Sequence, residues 1–185
     1  MIENKLTPDL ELQQKFAKFG VVVFVRDFVG KVLVLRENES KSVTGKNAGE
    51  YSVLCETGEV GESWGKTVVR GIEEELGVLE SEQQRFFGFK KGCYLGETVF
   101  VEGVLARVAA IYFTGPAEKF TSGLDLGEVT IEGWKSLEQL ARYPLRRGVR
   151  KVLREVLDQK LLDEPNVESE LWPLSLGYLR INNLI

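Results

Sequence analysis

The sequence predicts an α/β/α sandwich built on a mixed β-sheet, on three observations. Runs rich in β-branched and aromatic residues at 19–25, 31–35 and 99–113 read as buried strands. A helical pattern at 64–76, with Val68, Val69, Ile72 and Leu76 recurring at three- and four-residue steps, falls in the middle of the strand series. A second helical pattern, opened by Pro144, carries Val149, Val152, Leu153, Val156 and Leu157 on one side and follows the last strand. A sheet interrupted by one helix and followed by another can have both faces covered.

Taken in order, residues 1–18 form an N-terminal extension in which Leu10, Leu12, Phe16 and Ala17 mark a short amphipathic helix after Pro8-Asp9. The main domain spans 19–162. FGVVVFV at 19–25 and KVLVL at 31–35 pair as a buried hairpin around a turn at 27–30. ENESKSVTGKNAG at 37–49 is polar and small, a mobile loop of the kind that borders a pocket. Tyr51 to Leu54 is a strand leading into the helix loop, RFFGF at 85–89 is another, and Gly103 marks a bulge or a turn within 99–113. A loop follows at 115–127, then a short strand at 129–134 and a helix capped by Ser136. The tail at 163–185, with Leu171, Trp172, Leu174, Tyr178, Leu179 and Ile185, is too apolar for water; it packs on its own domain or, alternatively, makes a homodimer.

Composition excludes several classes. The 185 residues suit one domain with some decoration, at 43% hydrophobic and 28% charged. With two cysteines and no histidine there is no Ser-His-Asp triad, no Cys-His pair and no zinc site of His and Cys, so any metal is held by oxygen. A net charge of -4 with no basic stripe argues against nucleic acid as partner. No secretory signal and no membrane-length apolar run stand in the sequence, and the expected location is cytoplasmic.

The chemistry concentrates in CETGEVGESWGKTVVRGIEEELGV, residues 55–78. Here a loop rich in Gly and Glu enters the helix at 64–76, which Gly77 closes. The apolar stripe turns Arg70, Glu74 and Glu75 away from the core, with Arg70 one turn before Glu74. Adjacent carboxylates repel unless a cation joins them, and Mg²⁺ prefers oxygen ligands of this kind. The plain alternative is a solvated acidic face.

The spacing resembles the Nudix box, G-x5-E-x7-R-E-U-x-E-E-x-G-U with U aliphatic. Val78, Gly77, Glu75, Glu74, Ile72, Arg70 and Glu62 fall in register, with Gly61 before Glu62. Two positions depart: the opening Gly is Glu56, and the Glu after Arg70 is Gly71. Gly58 is expected to take over the turn that the opening Gly makes. A second similarity is Glu128 ahead of Gly133-Trp134-Lys135-Ser136-Leu137, where family members carry an acidic residue before Trp-x-Ser-Leu.

The resemblance implies a Nudix-like sandwich that hydrolyses the pyrophosphate bond of a nucleoside diphosphate linked to another moiety, with Mg²⁺ or Mn²⁺. It implies metal ligation by Glu74, Glu75, Glu128 and the backbone carbonyl near Cys55. Arg70 would hold the carboxylates, and Glu62 would brace the loop or reach the metal through water. Gly71 removes a side chain that serves many members as base or ligand, so the chain is either a slow hydrolase or a nucleotide- or protein-binding module on the same fold. An interaction protein that dimerises through its tail is a third reading. Arg36, Lys41 and Lys46 are candidates for phosphate contacts, and Tyr51, Phe113 and Phe120 for stacking a base, with core packing the alternative for the aromatics.

Overall fold

The computed structural model describes residues 18–162. The apolar tail and the N-terminal helix lie outside them, except for Lys18, which opens the first strand. Strand β1 (Lys18–Arg26) runs through the middle of the sheet. Parallel to it lies β6 (Val104–Phe113), paired along its whole length from Lys18↔Val104 to Arg26↔Tyr112. On its other side β1 meets β2 (Val32–Glu37) at Arg26↔Val32, and then β4 (Leu54–Thr57) antiparallel from Gly20↔Thr57 to Val23↔Leu54. The predicted hairpin therefore forms at its turn and splays beyond it, making room for the strand that enters the helix loop. Asp27 holds the turn, accepting the N–H of Val29 at 3.0 Å and of Lys31 at 2.8 Å.

The remaining strands are β3 (Tyr51–Ser52), β5 (Phe87–Val101), β7 (Leu124–Asp125) and β8 (Val129–Lys135). The sheet order is β5-β6-β1-β2-β8-β7, with β3 on β2 and β4 on β1. Gly103, at φ 75°, turns β5 into β6 rather than bulging one long strand. Residues Arg85 and Phe86 belong to a helix, not to a strand. Helix α1 is Trp64–Leu76 and α2 is Glu80–Phe86, the latter fastened by Gln83, which donates to the carbonyls of Val69 (2.8 Å) and Val78 (3.1 Å).

Two cores flank the sheet because the pleat of β1 alternates. Val21, Val23 and Val25 face α1, joining Val68, Ile72, Leu76, Phe113 and Phe120. Val22 and Phe24 face the opposite layer, made by α3 (Leu137–Leu140) and α4 (Arg147–Asp158) with Val149, Val152, Leu153 and Val156. Ser136 and Gln139 cap α3 reciprocally. Helix α4 begins at Arg147 instead of Pro144 because the preceding segment pairs with β3: Tyr51 donates to Pro144 O, and Arg146 N–H donates to Tyr51 O, both at 2.9 Å. Among the described residues no helix is long and apolar enough to cross a membrane.

Ile72 is fully buried between α1 and the sheet. Replacing it with alanine should lower stability by about 2–5 kcal/mol in urea unfolding, with the m-value unchanged.

Candidate active site

The loop from β4 to α1 is set by close approach and by one left-handed residue. Gly58 does not make the unusual turn expected of it; the positive φ is at Gly61, at 80°. What Gly58 provides is space, since a Cβ there would collide with the Phe19 ring. Ser63 caps α1 by accepting Lys66 N–H at 3.3 Å, and Gly77 ends it at φ 63°.

Arg70 gathers the loop onto the helix. Its Nε and Nη2 donate to the two oxygens of Glu62 at 3.1 and 3.0 Å, and Nη2 also donates to Thr57 O at 2.6 Å. Its Nη1 lies 3.2 Å from Glu56 and 3.1 Å from Glu74. Glu62 also accepts the Glu59 N–H at 2.9 Å and the Thr67 hydroxyl at 2.9 Å. Burial alone would raise the Glu62 carboxyl, but Arg70 and these donors outweigh it and hold it below the ordinary range. The same guanidinium is pushed up by its bond to Glu62.

The second group forms around Glu75, which corrects the expected orientation: with 6% exposure it points inward, unlike Glu73 and Glu74. Its neighbour one turn earlier is Gly71, so that ridge of α1 approaches β4, and Cys55 N–H donates to Glu75 Oε2 at 3.2 Å. Lys46, expected on a mobile loop, is itself buried. Its Nζ lies 3.1 Å from Glu37, 3.1 Å from Glu128 and 4.0 Å from Glu75. The loop is anchored by the Lys41↔Lys46 bridge and by Arg146, which donates to Thr44 O at 2.8 Å and to Glu37 at 3.2 Å. Lys41 closes the group on Glu128 at 2.7 Å.

Burial pushes the Glu75 carboxyl up to about 8 against the pull of Lys46, and Glu37 and Glu56 raise it further. Burial opposes the Lys46 charge, but Glu37, Glu75 and Glu128 outweigh it, so the ammonium is raised. The two shifts are compatible because Lys46 has nearer partners in Glu37 and Glu128. Glu128 is held low by Lys41 and then Lys46. The Cys55 thiol is pushed up to about 12 by burial, which leaves it an apolar side chain at neutral pH.

The sequence-predicted residues thus fall into two adjoining sets: Glu62, Arg70 and Glu74, and Cys55, Glu75 and Glu128. Arg36 joins neither, as its guanidinium is held by Glu132 at 2.8 Å. Tyr51 stacks on Tyr143 with centroids 4.4 Å apart, and Phe113 and Phe120 are core residues 4.9 Å apart, so the packing role holds for all three. Sequence reasoning missed the parts played by Glu37, Lys46, Arg146 and Glu56. Glu37 and Arg146 are 109 positions apart in the chain and carry no local signature. Glu56 was visible as a departure but not as a participant.

Six carboxyl groups (Glu37, Glu56, Glu62, Glu74, Glu75, Glu128) are linked by ion pairs to four cations (Lys41, Lys46, Arg70, Arg146), an excess of one negative charge while Glu75 keeps its proton and of two once it is ionised. That excess and the oxygen-only donor set suit one divalent cation. Among the described residues, however, no three acidic or cysteine side chains already surround a common point, because Arg70 and Lys46 hold them.

Comparison with known structures agrees on the fold. A MutT described for Aliivibrio salmonicida and Vibrio cholerae superposes with a TM-score of 0.55 at 16% identity, covering 77% of this chain and 98% of that one. A MutT from Methanosarcina mazei gives 0.53 at 21% identity, covering 77% and 94%, and DR0079 from Deinococcus radiodurans gives 0.54 at 17%, covering 75% and 82%. No curated protein matches the chain in sequence. The family model described as NUDIX domain matches residues 17–156, and with most of the chain covered, this protein belongs to the Nudix hydrolase family.

Proposed function

We propose that this chain is a pyrophosphohydrolase acting on a nucleoside diphosphate linked to another moiety, with Mg²⁺ or Mn²⁺ at the carboxylate cluster. The observation that carries this reading is the gathering of six carboxyl groups on only four cations, with Glu75 buried among them. Glu74, Glu75, Glu128 and the Cys55 carbonyl would hold the ion. When bound, a divalent cation there supplies charge neutralisation for the phosphates and a more acidic water.

The chain's own residues divide the remaining work. Arg70 keeps the Glu56, Glu62 and Glu74 carboxylates oriented at one guanidinium. Glu62 is fully engaged by Arg70, Thr67 and the Glu59 N–H, so it braces the loop rather than accepting a proton from water. Glu128 is held low by two lysines, which makes it a poor base. Lys41, half-exposed, places positive charge at the mouth of the cluster, where a phosphate enters.

A specific observation also favours the binding-module reading: the Lys46 ammonium already serves Glu75 and Glu128 as counter-ion. The test is nucleotide and phosphate release from a panel of nucleoside-diphosphate derivatives with Mg²⁺ or Mn²⁺, beside Glu75→Gln. Turnover that falls at least ~100-fold in Glu75→Gln supports the hydrolase. Nucleotide-induced stabilisation without product in the wild type sinks it and leaves the binding module.

A further inference from the structure

Two positions depart from the box, and in the folded chain they touch. A Cβ built on Gly71 would sit 2.8 Å from Glu56 Cβ and 3.3 Å from its Cγ, with Leu54 Cδ1 at 3.6 Å behind. Carbon atoms do not approach so closely, so this contact between β4 and α1 accepts one side chain and one glycine. The box pattern puts the glycine on the strand side and the glutamate on the helix. This chain carries the same two residue types in the opposite order.

Glu56 also reaches the right company. Its Oε1 is 3.2 Å from Arg70 Nη1, the same nitrogen that holds Glu74 at 3.1 Å. Its backbone neighbour Cys55 donates the N–H that holds Glu75. A carboxylate from residue 56 therefore stands over position 71, between the partners of Glu74 and of Glu75. We propose that Glu56 supplies from strand β4 the carboxylate that the box places on helix α1 at position 71, so that the two departures are one compensated exchange. The assignment rests on the hydrolase reading above.

The exchange makes a reciprocal prediction that a mere salt bridge to Arg70 would not. Four proteins are compared: wild type, Glu56→Gly, Gly71→Glu and the double variant, with Glu56→Gln as an isosteric control that keeps the packing. The readouts are Mn²⁺ binding by titration calorimetry and the melting temperature, neither of which requires turnover. Glu56→Gly and Glu56→Gln should each weaken Mn²⁺ binding ~10- to 100-fold. Gly71→Glu alone should melt below wild type, because its side chain meets that of Glu56. The double variant should bind Mn²⁺ within a few-fold of wild type and melt above Gly71→Glu.

Unchanged Mn²⁺ affinity in both single variants at position 56 would overturn the assignment while leaving the hydrolase reading standing. So would a double variant that binds no better than Glu56→Gly. A wild type that binds no Mn²⁺ and turns nothing over removes the hydrolase reading and this assignment together, an outcome distinct from the other two.

Discussion

Arg70→Ala should cost this protein both stability and function, while Arg70→Lys recovers only part of either. The guanidinium serves Glu56, Glu62, Glu74 and the Thr57 carbonyl through three nitrogens, and among the described residues no other cation is paired with those three carboxylates. Alanine leaves three negative groups facing one another on a partly buried surface and frees the loop from its helix. The stability loss should be about 2 kcal/mol, below the value for a fully buried pair because Glu74 remains half-exposed and can turn to water. Activity should fall by about 100-fold, through misplaced carboxylates rather than lost contact with substrate. A lysine restores one charge but cannot form the planar fork to Glu62, so its melting temperature should lie between the two. An alanine variant that unfolds at the wild-type denaturant midpoint would remove Arg70 from its role as organiser of the loop.

How legible the protein was depends on the distance over which each feature is decided. Helix α1 could be read to its ends, because the three- and four-residue apolar steps and Gly77 act within a few residues of one another. Most strand runs were equally plain, but residues 90–98, which no strand was assigned to, complete β5 between the runs read at 85–89 and 99–113. The pairing of the strands was not plain: β1 and β2 look like a simple hairpin, but the sheet places β6 and β4 beside β1, which is settled by packing across the whole domain. The same holds for the start of α4, where Pro144 is a plausible opening until β3 claims the segment. In the site, the resemblance to the Nudix box picked out Glu62, Arg70, Glu74, Glu75 and Glu128, but not the direction of Glu75. Helical periodicity assigns a carboxylate to the wet face by default; the cost of burying Glu75 is offset by Cys55 N–H and Lys46, residues that lie outside its helix. Glu56 and Gly71 appear as separate defects in the linear pattern and become a single contact only when β4 lies on α1.

The buried Glu75 should also give the protein a pH-dependent stability that a divalent cation reverses. Its folded carboxyl lies at about 8, against an ordinary value of 4.5 in the unfolded chain. A raised folded pKa means that the native state holds the proton more tightly than the unfolded state does. The contribution is therefore complete below pH 4.5 and is lost as pH rises from there to about 8, with no further change above. At 6% exposure little solvent screening intervenes, and the total swing should be on the order of 5 kcal/mol. Glu75→Gln keeps the acceptor for Cys55 N–H but removes the titration. The difference in stability between the variant and the wild type should thus grow in the variant's favour from pH 5 to pH 8. Mg²⁺ or Mn²⁺ would bind the ionised form, so its affinity should rise by up to about tenfold per pH unit over the same range and level off near pH 8. Urea unfolding of both proteins at several pH values, with and without the cation, separates these effects. A difference that stays constant with pH would mean that Glu75 is already ionised in the native state, held so by Lys46; Glu75 would then offer the cation a charge that the lysine has already neutralised.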